Sequence, residues 1–291
     1  MLNRILFSIL ILISKLPLRV LYLFADVIFV LLYFILGYRK KVVLENLSNA
    51  FPERSSAEIN AIAKQFYRDF SDYLVETLKA FTISETELRV RVQHLNQHWF
   101  HQAKQEGKNV ILLSGHVFNW EWFNALATVV PQQHSYPVYR KIQNQFWEEK
   151  IKLVRGRFGN TPLEAGQVIR QMLKTPNDGN SIYMFVADQS PHISEIHYGL
   201  KFLNQDTPTF IGYDKLSTKM DLIFIYCEMK KVKRGYYQVN YHRIYPKNGE
   251  KFETYEVVNR FHQLLENTIR KHPDNWLWSH RRWKYQHALK K

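Results

Sequence analysis

Residues 109–124 read NVILLSGHVFNWEWFN. Residues 110–114 are apolar or small without polar alternation, the pattern of a strand buried on both faces. Gly115 breaks the run, and residues 120–130 carry an apolar stripe at helical spacing. His116 lies between the two, with Glu121 five positions further on. In one continuous helix five residues turn about 500°, which leaves the two side chains roughly 140° apart. They converge only if His116 lies on the turn before the helix and Glu121 in its first turns, as a strand–glycine–helix unit provides. An imidazole held by a carboxylate is fixed in one tautomer and becomes a better base towards a substrate hydroxyl. A His beside a Glu is also an ordinary structural pair. Position favours chemistry here, because open α/β sheets bind ligands beyond the carboxyl ends of their strands.

Downstream, strand patterns at 135–139, 181–187, 222–227 and 236–241 alternate with helical patterns at 143–158, 163–174, 208–219 and 253–271. That alternation predicts an α/β domain with a mixed, mainly parallel sheet flanked by helices. His116, Arg140 and the pair Asp188-Gln189 each follow a candidate strand. If those strands are parallel, all gather along one carboxyl edge. Taken singly, Arg140 is a solvated loop residue and Asp188, before Ser190-Pro191, a turn former.

Upstream, Ser55-Ser56-Ala57-Glu58 forms a capping box after Pro52. It opens a helix with Ile59, Ile62, Phe66, Phe70, Tyr73, Leu74, Thr77 and Phe81 on one side, wide enough to pack on a core. A second helix is expected over 93–104. It would carry His94, His98 and His101 at helical spacing, but no Cys, Asp or Glu completes a ligand set, so no metal is expected.

The chain of 291 residues carries 40 Lys plus Arg against 26 Asp plus Glu, a formal charge of +14. Such an excess favours nucleic acid, an anionic membrane surface, an acidic carrier or a phosphorylated substrate. The single cysteine, Cys227, excludes an internal disulfide. The N-terminus discriminates among these partners. Residues 5–13 are apolar apart from Ser8, and Lys15, Pro17 and Arg19 interrupt the pattern. Residues 20–36 then form an apolar run whose one charge is Asp26. As a helix this run extends about 26 Å, near the lower limit for a bilayer span. Its thirteen Leu, Ile, Val and Phe residues outweigh one off-centre Asp on insertion scales. No small-residue cleavage site follows the first run, against a signal peptide. Arg39, Lys40 and Lys41 favour a cytoplasmic domain. The expected organisation is an N-terminal membrane anchor, residues 1–41, and an α/β domain, residues 42–291.

Near the C-terminus, WLWSHRRWK interleaves Trp276, Trp278 and Trp283 with His280, Arg281 and Arg282. Aromatic and arginine residues in this pattern suit nucleic acid, a membrane interface or a phosphate site. Beside an apolar N-terminus the lipid reading is preferred. A membrane-tethered nucleic-acid-binding protein would leave His116, Glu121 and Asp188 without a role.

With these blocks in view, the chain resembles the lipid A biosynthesis late acyltransferases, the lauroyl and myristoyl transferases. RKKVVLENLSNAFPERS is similar to the family's basic stretch followed by N-L and F-P-E elements. SGHVFNWEW matches its H-x4-E block, VYRK supplies Arg140, RGRFGN resembles an arginine–glycine element around Arg157, and ADQ matches its D-Q block. PDNWLWSHRRWK resembles its closing W-x-H-R-R-[FW] signature. After the D-Q block the chain departs from the usual short segment ending in F-F-G, and SPHISEIHYGLKFLNQ intervenes.

The resemblance implies a glycerolipid-acyltransferase-like fold in an enzyme of the bacterial inner membrane, facing the cytoplasm. It implies transfer of a fatty acyl group from an acyl carrier protein thioester to a lipid A precursor, without organic cofactor, metal or nucleic acid. His116 and Glu121 take the catalytic places. Arg140, Arg157, Asp188, Gln189 and Arg281 are the expected substrate-binding residues, with Arg140 assigned to the developing oxyanion or to a phosphate. A related acyltransferase using coenzyme A or an aminolipid or glycolipid acceptor would carry the same residues.

Overall fold

A computed structural model describes residues 2–290 of the chain. The N-terminal segment, up to Arg91, is helical. Helix α1 spans Leu2–Ser14. Helix α2, Leu18–Val30, starts after Pro17 and runs into a π-helical turn, Leu31–Ile35. Helices α3, Lys40–Ala50, and α4, Ser56–Lys79, follow. The expected capping box opens α4: the Ser55 hydroxyl accepts from the Glu58 N–H, and the Glu58 carboxylate accepts from the Ser55 N–H.

After α5, Glu85–Arg91, the chain builds a seven-stranded sheet in the order β1-β9-β8-β2-β5-β3-β4. Its strands are β1 Val92–His94, β2 Val110–Ser114, β3 His134–Tyr139, β4 Leu163–Glu164, β5 Ser181–Val186, β8 Ile223–Lys233 and β9 Tyr236–Ile244. Every neighbouring pair is parallel except the β8–β9 hairpin. A separate hairpin joins β6, Gly199–Phe202, to β7, Gln205–Pro208. Helices α6 His98–Gln105, α7 Gln145–Arg155, α8 Val168–Lys174, α9 Gly212–Ser217 and α10 Glu256–Lys271 connect or follow these strands. The expected mixed, mainly parallel α/β sheet is therefore present. β2 is buried at every position, as a central parallel strand covered on both faces must be.

Three local expectations give way. The 93–104 segment is not one helix: Val92–His94 pairs with β9, and Asn96 turns the chain in the left-handed region before α6. His94 meets the Tyr241 hydroxyl at 2.6 Å, so it shares no helix face with His98 and His101. The start of the expected 163–174 helix is β4, pairing with β3. The 120–130 segment is a 3-10 helix, Trp120–Thr128, tighter than the α-helix its apolar spacing predicts.

The N-terminal helices are seated on the rest of the molecule. Leu18, Leu21, Ala25 and Phe29 form one buried stripe of α2 and belong to the same core as β2 and α10. The opposite side leaves Leu23, Phe24, Val27 and Val30 exposed. Lys79 and Thr82 both donate to the Ser14 carbonyl at the end of α1, and Lys79 also to the Leu16 carbonyl just beyond it, which closes that helix end.

Candidate active site

The β2–β5 register fixes the site. Ser114 pairs with Val186, so two residues further along both strands His116 and Asp188 face each other at the carboxyl edge. Gly115 is required between them. A Cβ there would lie 2.6 Å from Leu265 Cδ1 and 3.2 Å from Asp188 Oδ2. His116 Nδ1 is 2.5 Å from Asp188 Oδ1, and the His116 backbone N–H donates to Oδ2 at 2.8 Å. Trp276 Nε1 donates to the same Oδ2 at 2.6 Å.

Burial by itself would push the Asp188 acid upward, but His116 and these three donors outweigh it and hold the carboxyl well below the usual carboxylate range. An ionised Asp188 only accepts, so Nδ1 of His116 carries the proton. Nε2 is then free to act as acceptor or base. It faces Gln189 Nε2 at 3.0 Å, an amide that donates to it.

The C-terminal segment braces this loop. Phe118 N–H donates to the Asn275 carbonyl, Leu277 N–H to the His116 carbonyl, and Val117 bridges antiparallel to Trp276. Phe118 adopts a positive φ of 45°, a conformation unusual for a residue with a Cβ. Asn46 of α3 holds the segment in turn, donating to the carbonyls of Trp278 and His280. His280, pushed down to about 4 by burial, stays neutral near neutral pH. Its Nε2 accepts from the Ser190 N–H at 3.4 Å.

Beside His116 lies a cavity of about 20 Å³ bordered by Phe66, Phe70, Tyr73, Phe118 and Trp120, room for about one water molecule. Trp120 meets the His116 ring edge-on at 4.8 Å and stacks on Tyr73 at 4.1 Å. A larger open depression, about 620 Å³, lies between residues 196–201 and the C-terminal turn and includes none of the residues around His116.

The sequence-predicted residues divide. His116, Asp188 and Gln189 come together, but Asp188 carries the imidazole where Glu121 was expected to. Glu121 lies in the first turn of the 3-10 helix and its carboxylate is taken by Arg155, at 2.7 Å and 3.3 Å. Parallel-strand adjacency brings Asp188 onto the ring, and an ion pair with α7 draws Glu121 elsewhere. Asp188 is thus a partner of His116, and its oxygens are already occupied by internal donors.

Arg140 follows β3, separated from β2 by β5, and is exposed with Glu195 at 3.5 Å as its ion-pair partner. Arg157 donates to the carbonyls of Ala80 and Ile83 beyond the end of α4, so its guanidinium is engaged in structure. Arg281 is exposed, whereas its neighbour Arg282 is fully buried and donates to the Pro208 carbonyl. Sequence reasoning missed Arg155 and the role of Trp276, although both stand inside motifs that it singled out. Among the described residues no group of three or more His, Cys, Asp or Glu side chains is arranged to hold a metal ion.

Comparison with curated proteins finds no significant match. Residues 3–285, nearly the whole chain, match the family described as bacterial lipid A biosynthesis acyltransferase, and the chain belongs to that family.

Proposed function

We propose that this lipid A biosynthesis acyltransferase moves a fatty acyl group from an acyl carrier protein thioester to a hydroxyl of a lipid A precursor, with His116 as general base. The observation that carries the proposal is the His116–Asp188 pair at 2.5 Å, with Nε2 turned towards an exposed amide and an aromatic wall. The acceptor hydroxyl displaces Gln189 from Nε2 and gives up its proton as its oxygen attacks the thioester carbonyl. The C–O bond forms, the C–S bond breaks, and the proton on His116 passes to the leaving thiolate. The imidazolium formed in between is stabilised by the Asp188 carboxylate beside Nδ1. A released Gln189 amide is free to donate to the developing oxyanion.

Phe66, Phe70, Tyr73 and Trp120 make the wall beside His116 apolar, which suits an acyl chain as the apolar substrate part once the one-water cavity there widens. The net charge of +14 suits both an acidic carrier and a phosphorylated acceptor. Glu121 acts through Arg155, holding the helix that follows the catalytic turn against α7.

Residues Leu18–Ile35 are long and apolar enough to cross a membrane. With one face seated on the domain and the other exposed, they support an inner-membrane anchor on the cytoplasmic side whose outward face meets lipid. Mass spectrometry of lipid A from cells lacking the gene, complemented by the wild-type or the His116→Ala chain, tests the proposal. The expected outcome is one acyl unit missing, restored by the wild type alone. Unchanged lipid A overturns the acceptor, and restoration by His116→Ala overturns the mechanism.

A further inference from the structure

Glu76 of α4 is fully buried and binds three separate parts of the molecule. Its Oε1 accepts from the Tyr22 hydroxyl of α2 at 2.8 Å. Its Oε2 accepts from Asn119 Nδ2 at 2.8 Å and from the Tyr237 hydroxyl of β9 at 2.7 Å. Its backbone carbonyl accepts from Trp122 Nε1 at 3.0 Å. Asn119 and Trp122 stand at the downstream end of the turn that begins at His116, so one residue anchors the far side of the catalytic loop and the apolar N-terminal helix together. Gly235, in the β8–β9 turn at φ 73°, makes room for the phenol, since a Cβ there would lie 2.1 Å from the Tyr22 hydroxyl.

We propose that α2 is part of the active-site scaffold as well as an anchor: Tyr22, acting through Glu76 on Asn119, is a positioning residue for His116. Three physical points support this. Phe118, between His116 and Asn119, holds a left-handed backbone, which persists only where its neighbours restrain it. Asn119 is itself fully buried, and its amide has Glu76 as hydrogen-bond acceptor. The Glu76 carboxylate accepts three side-chain hydrogen bonds, from Tyr22, Asn119 and Tyr237, the pattern that suits an ionised carboxylate and makes its bonds stronger than neutral ones. Loss of the Tyr22 hydroxyl leaves Oε1 buried without its donor. The carboxylate then has reason to reorient, taking Asn119 and the loop with it.

The inference rests on the reading of His116 as the base, and the test separates the two. The full-length protein is assayed in detergent micelles with an acyl carrier protein thioester and a lipid A precursor as Tyr22→Phe, Asn119→Ala and the double variant. Tyr22→Phe is expected to lower kcat roughly tenfold to a hundredfold, the scale of a small misplacement of a reacting group. KM and binding to vesicles of zwitterionic and anionic phospholipid should stay within about twofold. The double variant should be no slower than the slower single variant, because both break one linkage.

Asp26→Asn, which loosens α2 at Arg234 without touching Glu76, should lower thermal stability and leave kcat unchanged. If Tyr22→Phe does not fold, Glu76→Gln replaces it, with the same kcat loss expected. Wild-type kcat in the folded variant, losses that multiply in the double variant, or an equal loss in Asp26→Asn overturns the proposal. Full activity in His116→Ala overturns the base assignment instead.

Discussion

His116 and Asp188 stand at equal distances beyond paired positions of neighbouring parallel strands, Ser114 opposite Val186. Their contact at 2.5 Å is therefore a consequence of sheet register. Asp188→Asn keeps the size of the side chain but allows the ring to be held in the opposite tautomer. Turnover should fall by roughly 10³ to 10⁴, with KM little changed. His116→Ala should fall by roughly 10² to 10⁴. Steady-state kinetics on both variants, and on the pair combined, measures this. A double variant much slower than either single one would separate the two residues' roles.

Glu121 and Arg155 make a half-buried ion pair at 2.7 Å. Glu121→Gln leaves the guanidinium without its charge partner and should lower both turnover and melting temperature. Adding Arg155→Met should recover part of the stability, because removing both charges costs less than stranding one. Adding Arg155→Met to Asp188→Asn should recover none. Calorimetry of the four variants decides, and identical responses to Arg155→Met in both backgrounds would count against this division.

Folding raises the Glu76 pKa from its ordinary 4.5 to about 6. Burial is the main cause, with Asp72 adding to it, while hydrogen bonds from Tyr237, Tyr22 and Asn119 oppose it. Lys231 of β8 is the cation that feels this carboxylate. The folded state therefore binds the proton more tightly than the unfolded chain. The group's contribution to stability is greatest below pH 4.5 and declines as pH rises to about 6, by up to about 2 kcal/mol. Stability followed by urea unfolding should lose that decline in Glu76→Gln relative to the wild type. Parallel pH profiles for the two proteins would show that Glu76 keeps its unfolded pKa.

Arg140 is exposed beside Glu195, two strands from the strand that bears His116. A guanidinium so placed reaches a charged substrate group more readily than the reacting carbonyl. Arg140→Ala should raise KM by several-fold while kcat and melting temperature hold, and Arg140→Lys should recover most of the loss. A drop in kcat with KM constant would return Arg140 to the oxyanion.

The α/β class, the central strand 110–114, the glycine turn after it and the capping box of α4 were all legible in the chain, because each depends on near neighbours. Hydrophobic run length, a missing Cβ at Gly115 and the Ser55–Glu58 reciprocal cap act within a few residues. The gathering of His116 with Asp188 and Gln189 was also foreseeable, since both blocks follow strands that had to lie in one sheet. What the chain alone did not disclose is which carboxylate holds the imidazole. Glu121 is near His116 in sequence, whereas Asp188 arrives through a pairing between strands 72 residues apart. The same distinction separates Arg140 and Arg157, both expected to bind substrate, from the partners they meet at Glu195 and at the end of α4. It also accounts for the N-terminal helix, whose composition announced an apolar segment. Its buried stripe on α4 and the Tyr22–Glu76 bond depend on shape and charge supplied by distant parts of the chain.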